Sequence, residues 1–347
     1  MHLGDVVTAL PLAGVLKQRW PDVAVYFCGI GQARPLIECC VHIDGFIDVE
    51  AALADPAVLA AAGAGVFLNP YPSYPLMRSA LAARIPIRVG NLRRPRMWRY
   101  CNRFVAYSRA HSCEHTVDIV LKNLRALKIR TRIADEDLRT VYGLSRLEAM
   151  PPELAALAAA DRFNLIVHPK SGGEGREWSL SSFAALIDAL PAERCRVIVT
   201  GVAAEREAVK RECPSLLTRA NTVDLMGRLT LKQFIALAAR MDGIVASGTG
   251  PLHIAAALGI HALGVYPPTA NINALRWAPI GLQAESVGLA CCPEQRRPSC
   301  LASQLGAPCG CMQDISPEQI AGIVQGWIKN ARKAGHDLPA SADRATP

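Results

Sequence analysis

Residues 242–268 read DGIVASGTGPLHIAAALGIHALGVYPP, and the fold turns on how that stretch is parsed. Gly243–Ser247 is a short apolar run with two β-branched residues, which predicts a buried strand. Gly248, Thr249 and Gly250 turn the chain. Pro251 follows at a place that suits the start of a helix, where its missing N–H costs nothing. Residues 254–258 form the body of that helix and Gly259 ends it. Residues 262–266 are a second apolar run and predict the next strand. A strand, a glycine-rich turn and a helix N-terminus leave free amides and the positive end of a helix dipole facing one point. Thr249 adds a hydroxyl there, and His253 lies in the first turn beside it. Two readings fit: a seat for a nucleotide diphosphate, or an ordinary strand–turn–helix connection in an α/β sheet.

Outward from this stretch the alternation continues. Residues 164–167 predict a strand, 179–190 a helix, 197–200 a strand and 205–212 a helix. Thr230 caps a helix over 231–241. Residues 168–178, HPKSGGEGREW, form a second glycine-rich loop between a strand and a helix, and carry Lys170, Ser171 and Arg176. Cations at a strand end favour phosphate contact over a plain surface loop. Glu205 lies just past a strand end, where an acid can accept hydrogen bonds from ribose hydroxyls or can simply start a helix.

The N-terminal half follows the same pattern. Gly4-Asp5 leads into a helix spaced by Val7, Leu10, Val15 and Leu16, with Pro11 expected to kink it. Strand signals fall at 23–28, 46–49, 66–68 and 85–89, and helical ones at 57–62, 74–83 and 111–127, with His115 as a packing or capping residue. Strands alternating with helices argue for parallel sheets covered on both faces. Residues 134–152 are polar and loop-like and end in Pro151-Pro152, so the domain boundary is placed there: 1–150 and 151–334, with a disordered tail at 335–347.

A net charge of +8 implies an acidic partner. Seven arginines lie between 84 and 103 without one acid, among them Arg93, Arg94, Arg96 and Arg99, with Trp98 and Tyr100 interleaved. Arginine's fork suits phosphate, so an anion-facing surface is preferred to a solvated loop. Interleaved aromatics also suit single-stranded nucleic acid, but no RNA-binding motif supports that. No run is long enough to span a membrane and no signal peptide opens the chain, which points to the cytosol. The twelve cysteines then read as reduced thiols. Five of them cluster late, Cys291, Cys292, Cys300, Cys309 and Cys311, without the paired spacing of a zinc knuckle, so no metal is assigned.

Taken in order, GDVVTALP (4–11), the 168–187 stretch, DLMGRLTLKQF (224–234), SGTGPLHIAAALG (247–259) and the region running to DISPEQI (314–320) resemble the bacterial heptosyltransferases of glycosyltransferase family 9. Each motif alone is weak, and the ordered set covers nearly the whole chain. The resemblance implies a GT-B fold, two Rossmann-like domains facing a cleft, with the acceptor on the first domain and the nucleotide sugar on the second. The last helix, from residue 317 to 334, would cross back to the first domain. It implies an inverting transfer without a metal or cofactor, classically from ADP-heptose to a phosphorylated glycolipid of the lipopolysaccharide core, at the inner-membrane surface and without nucleic acid. Asp5 falls on the family's general base; Lys170, Ser171, Arg176, Glu205, Thr249, Gly250 and His253 fall at the donor site. The four arginines would face the acceptor or the membrane.

Three departures from the family pattern stand out. Many members carry Asp where this chain has Gly248, which leaves the sugar open. Arg176 stands where well-known members have Lys. The strand expected ahead of Gly4-Asp5 is missing, with at most His2-Leu3 left of it. Two other functions therefore stay open: transfer from a different nucleotide sugar, and a silent nucleotide- or lipid-binding relative.

Overall fold

The computed structural model describes residues 2–108, 114–129, 132–158, 161–173, 176–268, 272–288 and 310–334. Four of the late cysteines and the tail from 335 lie outside these, as does the side chain of Cys311. The chain divides into two compact units, 1–146 and 147–347.

In the first unit, α1 (Leu3–Arg19) begins directly after His2, and no strand precedes Gly4 among the described residues. Every residue from Val6 to Val15 is buried, and the helix continues past Pro11 without a break. Burial on all sides outweighs the one backbone bond that proline forfeits. Two parallel pieces of sheet follow. One pairs β1 (Tyr26–Gly29) with β2 (Gly45–Asp48). The other runs β3 (Val66–Leu68), β4 (Ile87–Asn91), β5 (Arg103–Val105). Helices α2 (Val49–Ala54) and α3 (Tyr74–Ala82) serve both pieces. Ala52, Leu76 and Ala80 pack with Cys28 and Ile47 from one and Phe67 from the other. Within these sheets β1 and β3 each pair on one side only.

Two expectations need correction here. The helix expected over 111–127 is α4 (Thr116–Leu121) followed by a 3-10 segment, Lys122–Leu127, and residues 111–113 lie outside the described chain. His115 does cap it, its Nδ1 accepting from the Val117 amide at 3.2 Å. The stretch 134–152 is not all loop. It contains α5 (Leu138–Tyr142), whose Leu138, Val141 and Tyr142 are buried. Gly14 of α1 lies against the Val141 carbonyl so closely that any Cβ would overlap it. A five-residue helix flanked by acids offers too short a period to read from sequence.

The second unit is one parallel sheet in the order β11-β10-β9-β6-β7-β8. Its strands are β6 (Phe163–His168), β7 (Cys195–Val199), β8 (Thr222–Asp224), β9 (Gly243–Ser247), β10 (His261–Tyr266) and β11 (Ala284–Gly288). The connecting helices are α6 (Leu180–Asp188), α7 (Ala203–Glu212), α8 (Leu231–Ala238) and α9 (Gly250–Leu258). The central strands β6 and β9 are buried at every residue, as expected for parallel strands covered on both faces. Helix α10 (Pro317–Ala334) packs on this unit. Its Trp327 stacks on His261 at 4.6 Å between ring centroids and donates to Glu285 Oε1 at 2.9 Å.

Burial pushes the thiols of Cys28 and Cys195 up to about 12 and those of Cys40 and Cys101 up to about 11, so these four are inert apolar filling. No helix among the described residues is long and apolar enough to cross a membrane, and no group of side chains among them could hold a metal ion.

Candidate functional site

Strand order places the site in the second unit. The chain steps from β6 outward to β7 and β8, then returns to lay β9 on the other side of β6. The connections leave β6 and β9 in opposite directions, which opens a crevice at their carboxyl ends. The loop 169–178 leaves β6 there, and Gly248–Gly250 leaves β9 there. The two motifs singled out in the sequence are therefore neighbours because of the topology alone.

Hydrogen bonds tie the two edges together. The Trp178 amide donates to Ser247 Oγ at 3.0 Å, which joins the end of one loop to the end of β9. Trp178 is itself immobilised. Its ring is fully buried edge-on against Phe183, and its indole N–H donates to the Ile315 carbonyl at 3.0 Å. On the far edge Thr249 is the N-cap of α9, Pro251 occupies its first turn, and Gly259 ends it at φ +85°, a conformation that favours glycine. The helix N-terminus so formed follows directly on the carboxyl end of β9, a position that suits an anion.

The loop is braced by two acids. Glu177, 3 % exposed, takes the Lys170 ammonium on Oε2 at 2.5 Å and accepts from the Ser171 amide and hydroxyl at 2.8 and 3.0 Å. Glu205 accepts from the Gly172 amide at 2.8 Å and from Val202 at the start of its own helix at 2.9 Å. Glu205 thus acts first as a clamp between the β6 and β7 loops. Glu177 was not a sequence candidate: one acid beside Arg176 and Trp178 carries no pattern, and only the folded loop turns it onto Lys170. Beneath the loop His168 pairs its Nδ1 with Thr200 Oγ1 at 2.8 Å, joining the ends of β6 and β7. Burial lowers His168 to about 4, so the ring is neutral near pH 7. Arg176 and His253 are both buried, and His253 meets Trp277 edge-on at 6.2 Å.

Gly248 has a structural reason. A Cβ built on it would stand 2.7 Å from Cε1 of Tyr266, and Gly264 is equally crowded by the other edge of the same ring. Tyr266 is fully buried at the end of β10, and its hydroxyl donates to the Trp277 carbonyl. The ring occupies the volume that an aspartate at 248 would need.

In the first unit Asp5 lies in the first turn of α1, partly exposed, with Oδ2 accepting from the His2 amide at 3.1 Å. One turn on, Thr8 Oγ1 meets the Tyr71 hydroxyl at 2.6 Å. Tyr107 donates to the Pro70 carbonyl and its own carbonyl receives Asn91 Nδ2. The start of α1 and the carboxyl ends of β3, β4 and β5 are linked by this chain of bonds. The turn carrying Arg93, Arg94, Arg96 and Arg99 leaves the same end of β4, and all four side chains are exposed. Arg88 differs: its guanidinium donates to the Tyr100 and Ile85 carbonyls and is structural.

The model of glycosyltransferase family 9 (heptosyltransferase) matches residues 75–304. The chain belongs to glycosyltransferase family 9. Among curated relatives of this family-9 chain, the lipopolysaccharide core heptosyltransferase OpsX of Haemophilus influenzae is 30% identical over 118 residues, which are 34% of this chain and 33% of that protein. The chain thus matches about a third of the length of its curated relatives. Among solved structures, E. coli ADP-heptose lipopolysaccharide heptosyltransferase II superposes with a TM-score of 0.71 at 17% identity, over 96% of this chain and 97% of that one. E. coli heptosyltransferase WaaC with ADP gives 0.71 at 14% identity, over 94% and 97%. At these identities the likeness establishes the GT-B-type α/β fold expected from the sequence.

Proposed function

We propose that this protein is an inverting glycosyltransferase that moves heptose from ADP-heptose to a sugar hydroxyl of a phosphorylated lipopolysaccharide-core acceptor at the inner face of the membrane. The observation that carries the reading is the crevice between β6 and β9. A braced loop bearing Lys170, Ser171 and Arg176 leaves β6 there and is tied through Trp178 to Ser247 just ahead of the N-terminus of α9, an arrangement that suits a nucleotide diphosphate. Relatives whose names specify ADP-heptose or ADP share the fold.

In this mechanism Asp5 is the general base. An acceptor hydroxyl has a high pKa, and a carboxylate within hydrogen-bond reach takes its proton as oxygen bonds to the anomeric carbon. The opposite bond, from that carbon to the diphosphate, breaks with its electrons going to phosphate. Arg176 and the first-turn amides of α9 meet the charge that develops, with Thr249, Gly250 and His253 around it. No metal is required for these steps. Glu205 would offer its remaining lone pairs to the ribose while holding Gly172.

Gly248 supports a second reading, transfer from another nucleotide sugar. Tyr266 leaves this site without the acid that many members carry, so its contacts to the sugar differ.

Calorimetric titration with ADP, UDP, GDP and CMP separates these, repeated on Arg176→Ala. The first reading expects ADP to bind best and its affinity to fall roughly ten- to a hundredfold in the variant, the loss of one or two charge-assisted hydrogen bonds. Preference for another nucleotide overturns the sugar and keeps the site. No binding by folded protein overturns the transferase reading.

A further inference from the structure

The turn between β4 and β5 gathers exposed cations around exposed apolar side chains. Arg93, Arg94, Arg96 and Arg99 are exposed, and among the described residues none has an ion pair or a side-chain hydrogen bond. Trp98 and Leu92 stand among them, 55 % and 46 % exposed. A large exposed apolar pair ringed by unpaired cations calls for an explanation that solvation alone does not give.

Three features make the turn suited to leaving water. The Trp98 indole N–H donates to the Leu92 carbonyl at 3.0 Å, so the ring can enter an apolar medium without stranding a donor. The amides of Leu92, Arg94, Met97, Trp98 and Tyr100 are all bonded within the turn or to β5, and Pro95 has none to satisfy. Underneath, Met97 is fully buried with Met77 and Cys101, which holds the turn rigid. A flexible basic loop meeting sugars or nucleic acid would need none of this internal satisfaction.

We propose that residues 92–99 dock on an anionic lipid bilayer, with Trp98 and Leu92 at the headgroup–acyl boundary and the four arginines on lipid phosphates. The claim deepens, and rests on, the reading of the protein as a transferase acting on a membrane-borne acceptor. It assigns these arginines to the membrane rather than to the acceptor.

The test is sedimentation of the full-length protein with vesicles of phosphatidylcholine alone and of phosphatidylcholine with phosphatidylglycerol, at low and high salt. Binding is expected only to the anionic vesicles and is expected to weaken at high salt. Arg94→Glu should lower vesicle affinity about twentyfold, and Trp98→Ala about tenfold, with ADP binding unchanged in both. Equal binding to neutral vesicles, no effect of salt on the wild-type protein, or both variants binding like wild type each overturns the proposal. Tighter binding to a single-stranded oligonucleotide than to vesicles overturns it in favour of nucleic acid. ADP binding on the same preparation keeps the two readings apart: vesicle binding without ADP binding sinks the donor assignment and leaves the docking turn standing.

Discussion

Tyr266 and Gly248 show how one side chain constrains another at a distance in sequence. The ring fills the space a Cβ at position 248 would need, so while position 266 is aromatic position 248 favours glycine. Gly248→Asp should therefore cost about 1–3 kcal/mol through overpacking, seen as a lower melting temperature. Tyr266→Ala alone opens a cavity in the core and costs more. The double variant should be more stable than the sum of the two losses implies, by about 1 kcal/mol or more, because each change accommodates the other. Strict additivity in that cycle would show that the ring is not what excludes the carboxylate. The sequence displayed Gly248 as a departure but could not display its cause, since the partner lies one helix and one strand away.

Among the elements, the sharpest contrast is between the two small sheets of the first unit and the six-stranded sheet of the second. β6 and β9 are flanked on both sides and buried throughout, while β1 and β3 pair on one side and their residues are largely half-buried. Amides held by a doubly flanked, buried ladder open only with the whole unit; those at an edge open locally. Hydrogen exchange should find the β1–β2 and β3 amides at least about a hundredfold less protected than those of β6 and β9. Equal protection in both units would contradict it. Most strands and helices were legible because apolar runs of the right length are bounded by Gly, Pro or a capping residue; Thr230 and Ser179 cap their helices through Gln233 and Ser182. The failures were short. The five residues of α5 offered too little periodicity to be read as a helix.

For the molecule as a whole, the pH dependence of stability follows from which groups are kept uncharged. Burial holds His168 at about 4 against an ordinary 6.5, and burial also lowers His261. In the interval between those values the unfolded chain binds more protons than the folded one, so stability rises with pH across it. The full contribution is present above 6.5 and is lost as pH falls through 4, and for His168 it amounts to about 3 kcal/mol as an upper figure. Denaturation midpoints measured from pH 4 to 7 should rise with pH, and His168→Gln should flatten the slope. An unchanged slope in that variant would mean that other groups carry it. Asp44 and Asp188, lowered by Lys17 and Arg219 beside them, act below their ordinary range and do not confuse the interval.

By itself the sequence determined what depends on neighbours along the chain: the alternation of strands and helices, the two glycine-rich turns, the helix caps, the arginine-rich run and the likeness to family 9. The tertiary structure decided what depends on neighbours across space. It brought residues 169–178 and 248–250 to one crevice by laying β9 on the far side of β6. It turned Glu177 onto Lys170 and Glu205 onto Gly172, and it filled the space beside Gly248 with Tyr266. Periodicity and capping are properties of a few consecutive residues and survive in a string of letters. Strand order and side-chain contact arise only when distant segments pack, and no single segment carries them.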